Sequence, residues 1–225
     1  MNLRVFFSVF LSGLFFLSAA ASAETVDLQL VLAVDVSGSM DDDEHALQRD
    51  GYVSALRHPQ VVQAIQGGYA GRIAVTYVEW AGTESQVVAV PWRMIADQPS
   101  AEAFADELAK TSIAWIRGTS ISGALAFAAG QFDASGFESE RRVIDISGDG
   151  ANNAGNLAPI ARDQAVAAGI TVNGLPIVND RINPFGRPQI PNLDLYYREC
   201  VIGGRGAFIV VAQGFDAFAE AIRRK

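Results

Sequence analysis

The 225-residue chain carries 25 acidic and 17 basic side chains, a net charge of −8, with two histidines and a single cysteine. That balance argues against nucleic acid and anionic lipid as partners and leaves cations or basic protein surfaces. Cys200 has no partner for an internal disulfide and excludes cysteine-built zinc or iron–sulfur sites, so a buried thiol is its expected role.

Residues 1–23 open with one basic side chain, Arg4, run through an apolar stretch over 5–17 and end in Ala21-Ser22-Ala23. This is the pattern of a secretory signal peptide with an A-x-A cleavage site, and the apolar stretch is short for a membrane span. The expected mature chain is one domain over 24–225, periplasmic or secreted, with no integral membrane segment after cleavage.

The apolar run at 27–34 reads as a buried strand that ends abruptly in Asp35-Val36-Ser37-Gly38-Ser39. One carboxylate and two hydroxyls reach the loop at the strand's carboxyl end, hard oxygens suited to Mg²⁺, Mn²⁺ or Ca²⁺. Ser39 fits the N-cap of a helix reaching residue 56, with Asp42 at its third position. Asp41, Asp42, Asp43 and Glu44 fill the first turn, where acids suit the positive helix end and offset its repulsion of a cation. His45 is expected on the solvated helix face, and His58, before Pro59, at the helix end.

Residues 72–79 read as a second strand, and 84–94 alternate around Pro91, which suggests an antiparallel edge strand. A short helix over 101–110 follows. Trp80, Trp92 and Trp115 are expected in packing, since no phosphate-binding glycine loop accompanies them. The hydroxyl-rich run Arg117-Gly118-Thr119-Ser120-Ile121-Ser122 leads straight into a helix, with Thr119 placed as its N-cap. A third buried strand over 141–147 ends in Gly148-Asp149-Gly150, so a second carboxylate follows a strand's carboxyl end. Asp145, inside that strand, needs a hydrogen-bonding partner if buried. A helix over 159–168, a strand over 170–178 and an irregular stretch over 179–191 come next. A helical turn at 194–199, a strand at 206–212 and a helix over 215–225 complete the chain, with Arg223, Arg224 and Lys225 at the negative end of the last helix.

Strands alternating with helices imply a doubly wound α/β domain, a mostly parallel sheet with helices on both faces and one antiparallel edge strand. Such sheets bind ligands at their carboxyl edge, where the three oxygen-bearing loops would meet.

This three-loop pattern resembles a von Willebrand factor A-like domain with a metal-ion-dependent adhesion site. The family's Asp-x-Ser-x-Ser is matched by Asp35, Ser37 and Ser39, its second-loop threonine by Thr119, and its third-loop aspartate by Asp149. The third loop reads Ser-Gly-Asp-Gly where the family more usually has Thr-Asp-Gly. The DGANN continuation and the YYRECVIGG stretch also resemble a group of exported bacterial proteins built on this domain, a likeness that implies no activity.

The resemblance implies that Ser37, Ser39 and Thr119 supply hydroxyls to a divalent cation, directly or through water, while Asp35 and Asp149 act largely through bound water. Mg²⁺ is the first expectation, with Mn²⁺ or Ca²⁺ as alternatives. Neutral hydroxyl ligands leave the ion undersatisfied, so the expected partner is a protein offering an Asp or Glu carboxylate, and the expected role is a non-enzymatic binding module. Two other readings stand beside it. A metal-dependent hydrolase or phosphoryl-transfer enzyme would use the same edge, but Gly118 to Gly123 misses a G-x-S-x-G elbow, and Ser37 stands where a second aspartate would serve as acid or base. A purely structural ion is the third reading.

Overall fold

The computed structural model describes residues 23–112 and 117–225. Except for Ala23, the expected signal peptide lies outside the described residues, as does Trp115. Strand β1 (Glu24–Thr25) is followed by β2 (Leu28–Asp35), α1 (Asp42–Arg57), α2 (Pro59–Gln66), β3 (Ile73–Trp80), β4 (Gln86–Ile95) and α3 (Gln98–Ala109). Next come α4 (Ile121–Gly130), β5 (Phe137–Glu138), β6 (Arg142–Gly148), α5 (Ala158–Ala167) and β7 (Ile170–Val178). Helix α6 (Leu193–Tyr196), which runs into a π-helical turn at Tyr197–Val201, then β8 (Ala212–Gln213) and α7 (Phe218–Arg224) end the chain.

The main sheet has the order β4-β3-β2-β6-β7-β8, parallel except for the β3–β4 pair. Strands β2, β3, β6 and β7 are buried along most of their length, as apolar-rich strands are when helices cover both sheet faces. Strand β4 instead mixes exposed and buried positions, and Pro91, which has no N–H to give, is tolerated there because the strand lies at the edge. The doubly wound α/β expectation and its antiparallel edge strand therefore hold. A small parallel ribbon of β1 and β5 stands apart.

Two cores flank the sheet. On one side Tyr52 of α1 meets Tyr77 and Phe218 edge-on, each at 5.3 Å between ring centroids, with Phe104 and Leu108 of α3 in the same cluster. On the other, Ile121 and Leu125 of α4 pack with Trp80, Ile144, Ile146 and Tyr197. Trp80 is fully buried, while half-buried Trp92 donates its indole N–H to the Gln131 carbonyl, so both tryptophans serve packing. Among the described residues no helix is long and apolar enough to cross a membrane.

Several local expectations need correction. His58 does close α1, but it also opens the unanticipated α2, its Nδ1 accepting from the Gln60 N–H at 3.2 Å and Pro59 standing in the first turn. His45 is not on a solvated face. It is buried against the core, neither ring nitrogen has a hydrogen-bond partner, and burial pushes its pKa down. Asp145 finds an ion pair where a hydrogen bond was expected, with Lys225 Nζ at 3.2 Å, so Lys225 is drawn onto the sheet and away from the helix end. The final strand shrinks to β8, with an isolated bridge between Gly174 and Ile209 before it. Cys200 is half-buried.

Below the carboxyl edge lies a buried ion pair of Arg49 on α1 with Glu79 on β3, and Arg49 also donates to the Thr111 carbonyl. Burial pushes the Glu79 carboxyl up while Arg49 opposes it. Removing one partner of such a pair strands the other charge. Arg49→Met is expected to cost about 3–5 kcal/mol in urea unfolding, and adding Glu79→Leu to recover much of that loss. Additive losses in the double variant would contradict a coupled pair.

Candidate metal centre

From β2 the chain crosses through α1 and α2 to β3 on one side, whereas from β6 it crosses through α5 to β7 on the other. The two strands are neighbours in register, Val34 beside Ser147, so their following loops diverge and leave a crevice between them. Asp35 ends β2 and Asp149 lies one residue beyond β6. Both carboxylates thus come to the switch point of the sheet.

Asp35 is completely buried. Its Oδ1 accepts the Ser37 N–H at 2.8 Å, but Oδ2 has no hydrogen-bond partner among the described residues. Ser37 Oγ and Ser39 Oγ lie 3.0 Å apart, and Ser39 Oγ donates to Asp149 Oδ1 at 2.6 Å. Thr119 Oγ1 reaches within 3.5 Å of Ser37 Oγ. All five residues singled out in the sequence therefore converge. The approach of β6 depends on Gly148, where a Cβ would stand 2.8 Å from Asp35 Oδ2 and 2.9 Å from the Tyr197 hydroxyl.

The hydroxyls are available because other residues cap the helices. Asp41, not Ser39, caps α1, in a reciprocal capping box with Glu44. Ser120, not Thr119, caps α4 by accepting the Gly123 N–H. Thr119 is held instead by Asn153, whose Oδ1 accepts the Thr119 N–H at 3.0 Å while its own N–H donates to the Thr119 carbonyl at 2.8 Å. Asn152 Oδ1 likewise accepts the Ser122 N–H, and Tyr196 OH accepts the Asn152 N–H. The two asparagines after Asp149 thus tie the third loop to the second.

The irregular 179–191 stretch forms a strap across this face, a role its sequence did not reveal. Arg181 Nη1 binds Glu44 Oε1 of α1 at 3.2 Å, and the Arg117 guanidinium lies 5.8 Å from the centre of the Phe185 ring. Gln189 donates to the carbonyls of Asp149 at 2.7 Å and Ile177 at 2.6 Å while accepting the Asn179 N–H. Strap and metal loops enclose a cleft of about 260 Å³ that includes Ser39, Thr119 and Asp149.

Burial, and then the neighbouring Asp149, hold the Asp35 carboxyl well above the usual range. Burial and Glu44 push Asp149 up to about 6, against the opposing hydrogen bond from Ser39. A divalent cation answers both features: it compensates the buried charges and gives the unpartnered Oδ2 something to face. Among the described residues no three His, Cys, Asp or Glu side chains converge, so an ion here is held largely by hydroxyls and stays short of negative charge.

A carboxyl whose folded pKa is raised contributes stability below its unfolded value and loses it as pH rises through the folded one. For Asp149 that window runs from about 4 to about 6. The metal-free protein is therefore expected to lose melting temperature between about pH 4 and about pH 6 relative to Asp149→Asn, with little further change above that, and Mg²⁺ affinity to fall below about pH 6. Parallel melting curves for the two proteins over this range would contradict the assignment.

Solved structures that include a von Willebrand factor type A protein share this fold. The mussel byssus proximal thread matrix protein 1, in a structure with a zinc-occupied MIDAS motif, aligns at TM-score 0.60 and 15% identity over 89% of this chain and 47% of its own. The Lactobacillus rhamnosus GG pilus adhesin SpaC aligns at 0.60 and 15% over 88% and 29%. A von Willebrand factor type A protein from Catenulispora acidiphila gives 0.57 and 15% over 88% and 42%. The chain spans less than half the length of these proteins. No curated protein matches significantly. The family model described as protein of unknown function (DUF1194) matches residues 25–225, and the chain belongs to that family.

Proposed function

We propose that the protein is an exported, non-enzymatic binding module that uses a divalent cation, Mg²⁺ in the first instance, to capture an Asp or Glu carboxylate of a protein partner. The observation that carries this reading is the buried Asp35 carboxylate with an unpartnered oxygen, on loops that also bring three hydroxyls and the Asp149 carboxylate together at the switch point of the sheet. When bound, the cation supplies Lewis acidity toward an incoming anionic oxygen. The chain's own residues set the geometry. Asp35 is fixed by the Ser37 N–H, Ser39 ties the first loop to Asp149, and Asn153 orients Thr119.

The non-enzymatic reading draws support from the histidines, since His45 is buried and His58 caps α2, so neither stands at the cleft as a proton carrier. The mussel thread protein with its zinc-filled site and the pilus adhesin share this fold, which fits a binding role.

Calorimetric titration of the purified protein with Mg²⁺, Mn²⁺ and Ca²⁺ is expected to find one site. Asp35→Asn should lower metal affinity at least about 100-fold, because it removes a charge facing the ion, yet melt no lower than wild type without metal at pH 7, because it removes an uncompensated buried charge. Unchanged metal affinity in that variant overturns the proposal. Binding of an acidic peptide that survives chelation with EDTA would overturn its partner-capture half.

A further inference from the structure

The strap over 179–191 does more than narrow the approach to the cation, because its side chains leave the cleft rich in donors. Asn179 Oδ1 accepts the Arg181 N–H, Asn183 Oδ1 accepts the N–H groups of both Phe185 and Arg187, and Asn153 Oδ1 accepts the Thr119 N–H. In each asparagine the acceptor is spent on the fold. The amide NH₂ groups make no hydrogen bond among the described residues, and all three residues line the cleft with Ser39, Thr119 and Asp149.

Arg187 lines the same cleft, and its guanidinium has no partner among the described residues, whereas Arg181 is engaged by Glu44. In a chain of net charge −8, one unpaired cation beside three idle amide donors is a binding surface for anionic oxygen. The strap also carries exposed apolar side chains, Ile182, Phe185 and Ile190, the last of them lining the cleft. Apolar contacts beside an anion site fit a peptide better than an acidic polysaccharide, whose surface is hydroxylated throughout.

We propose that the strap forms a second subsite, centred on Arg187, so that the protein recognises a peptide segment bearing two nearby carboxylates: one completes the cation and the other is held by Arg187 and the amides of Asn179 and Asn183. This rests on the proposed metal-dependent capture and names its ligand class. A lone acid satisfies the cation alone, and an acidic pair satisfies both charges in the cleft.

The test uses the purified full-length chain with saturating Mg²⁺ and four probes read by calorimetry: acetyl-LDGDL-amide, its singly acidic counterparts acetyl-LDGNL-amide and acetyl-LNGDL-amide, and digalacturonate. The doubly acidic peptide is expected to bind at least about tenfold more tightly than either counterpart, about 1.4 kcal/mol. Arg187→Gln should erase that preference, leave the singly acidic peptides bound as before, and keep Mg²⁺ affinity, which reports the folded site. Equal wild-type affinities for the three peptides overturn the second subsite and leave metal-dependent capture standing. Digalacturonate binding more tightly than the doubly acidic peptide overturns the peptide assignment. Mg²⁺ binding with no peptide binding at all overturns the capture reading itself.

Discussion

A carboxylate at the end of a central strand, wholly out of water and with one oxygen unpartnered, is the constraint around which the rest is arranged. Leaving Asp35 ionised in that position is costly unless a counter-charge arrives, and the Ser37 N–H and loop hydroxyls meet only part of the cost. Among the described residues no basic side chain pairs with it; Arg49 is committed to Glu79 and Arg181 to Glu44. A cation from outside would supply the compensating charge, and the loops of β2 and β6 separate at the one edge where it could enter.

Much of this was legible in the chain. The apolar-rich runs before Asp35 and Asp149 marked two buried strands and the end at which their carboxylates emerge, because burial on both faces leaves little alternation to misread. Pro91 marked the edge strand for an equally direct reason. The hydroxyls were found but given the wrong secondary duty. Ser39 and Thr119 are good caps by residue type, and only tertiary structure decided that Asp41 and Ser120 would do the capping.

What the sequence did not disclose depends on contacts distant along the chain. His45 looks solvated in a run of acids, yet α1 is turned so that this side chain faces inward. Asp145 and Lys225 are eighty residues apart in numbering and meet only because α7 returns across the sheet. The strap is the clearest case, since nothing in a stretch of Asn, Pro and Arg says that Gln189 will hook the Asp149 carbonyl or that Arg181 will reach α1.

The division of labour between capping residues and cluster hydroxyls has a consequence for how this protein can change over time. Because Asp41 and Ser120 hold the helix ends, Ser39 and Thr119 carry no share of either helix start, and their hydroxyls can vary without unravelling α1 or α4. Architecture and the oxygens of the crevice are thus separately heritable traits within one domain. Descendants of this fold are free to exchange these oxygens and remain folded, so a shared architecture among distant relatives is a poor guide to what binds at the crevice, and the identity of its few oxygens is a better one.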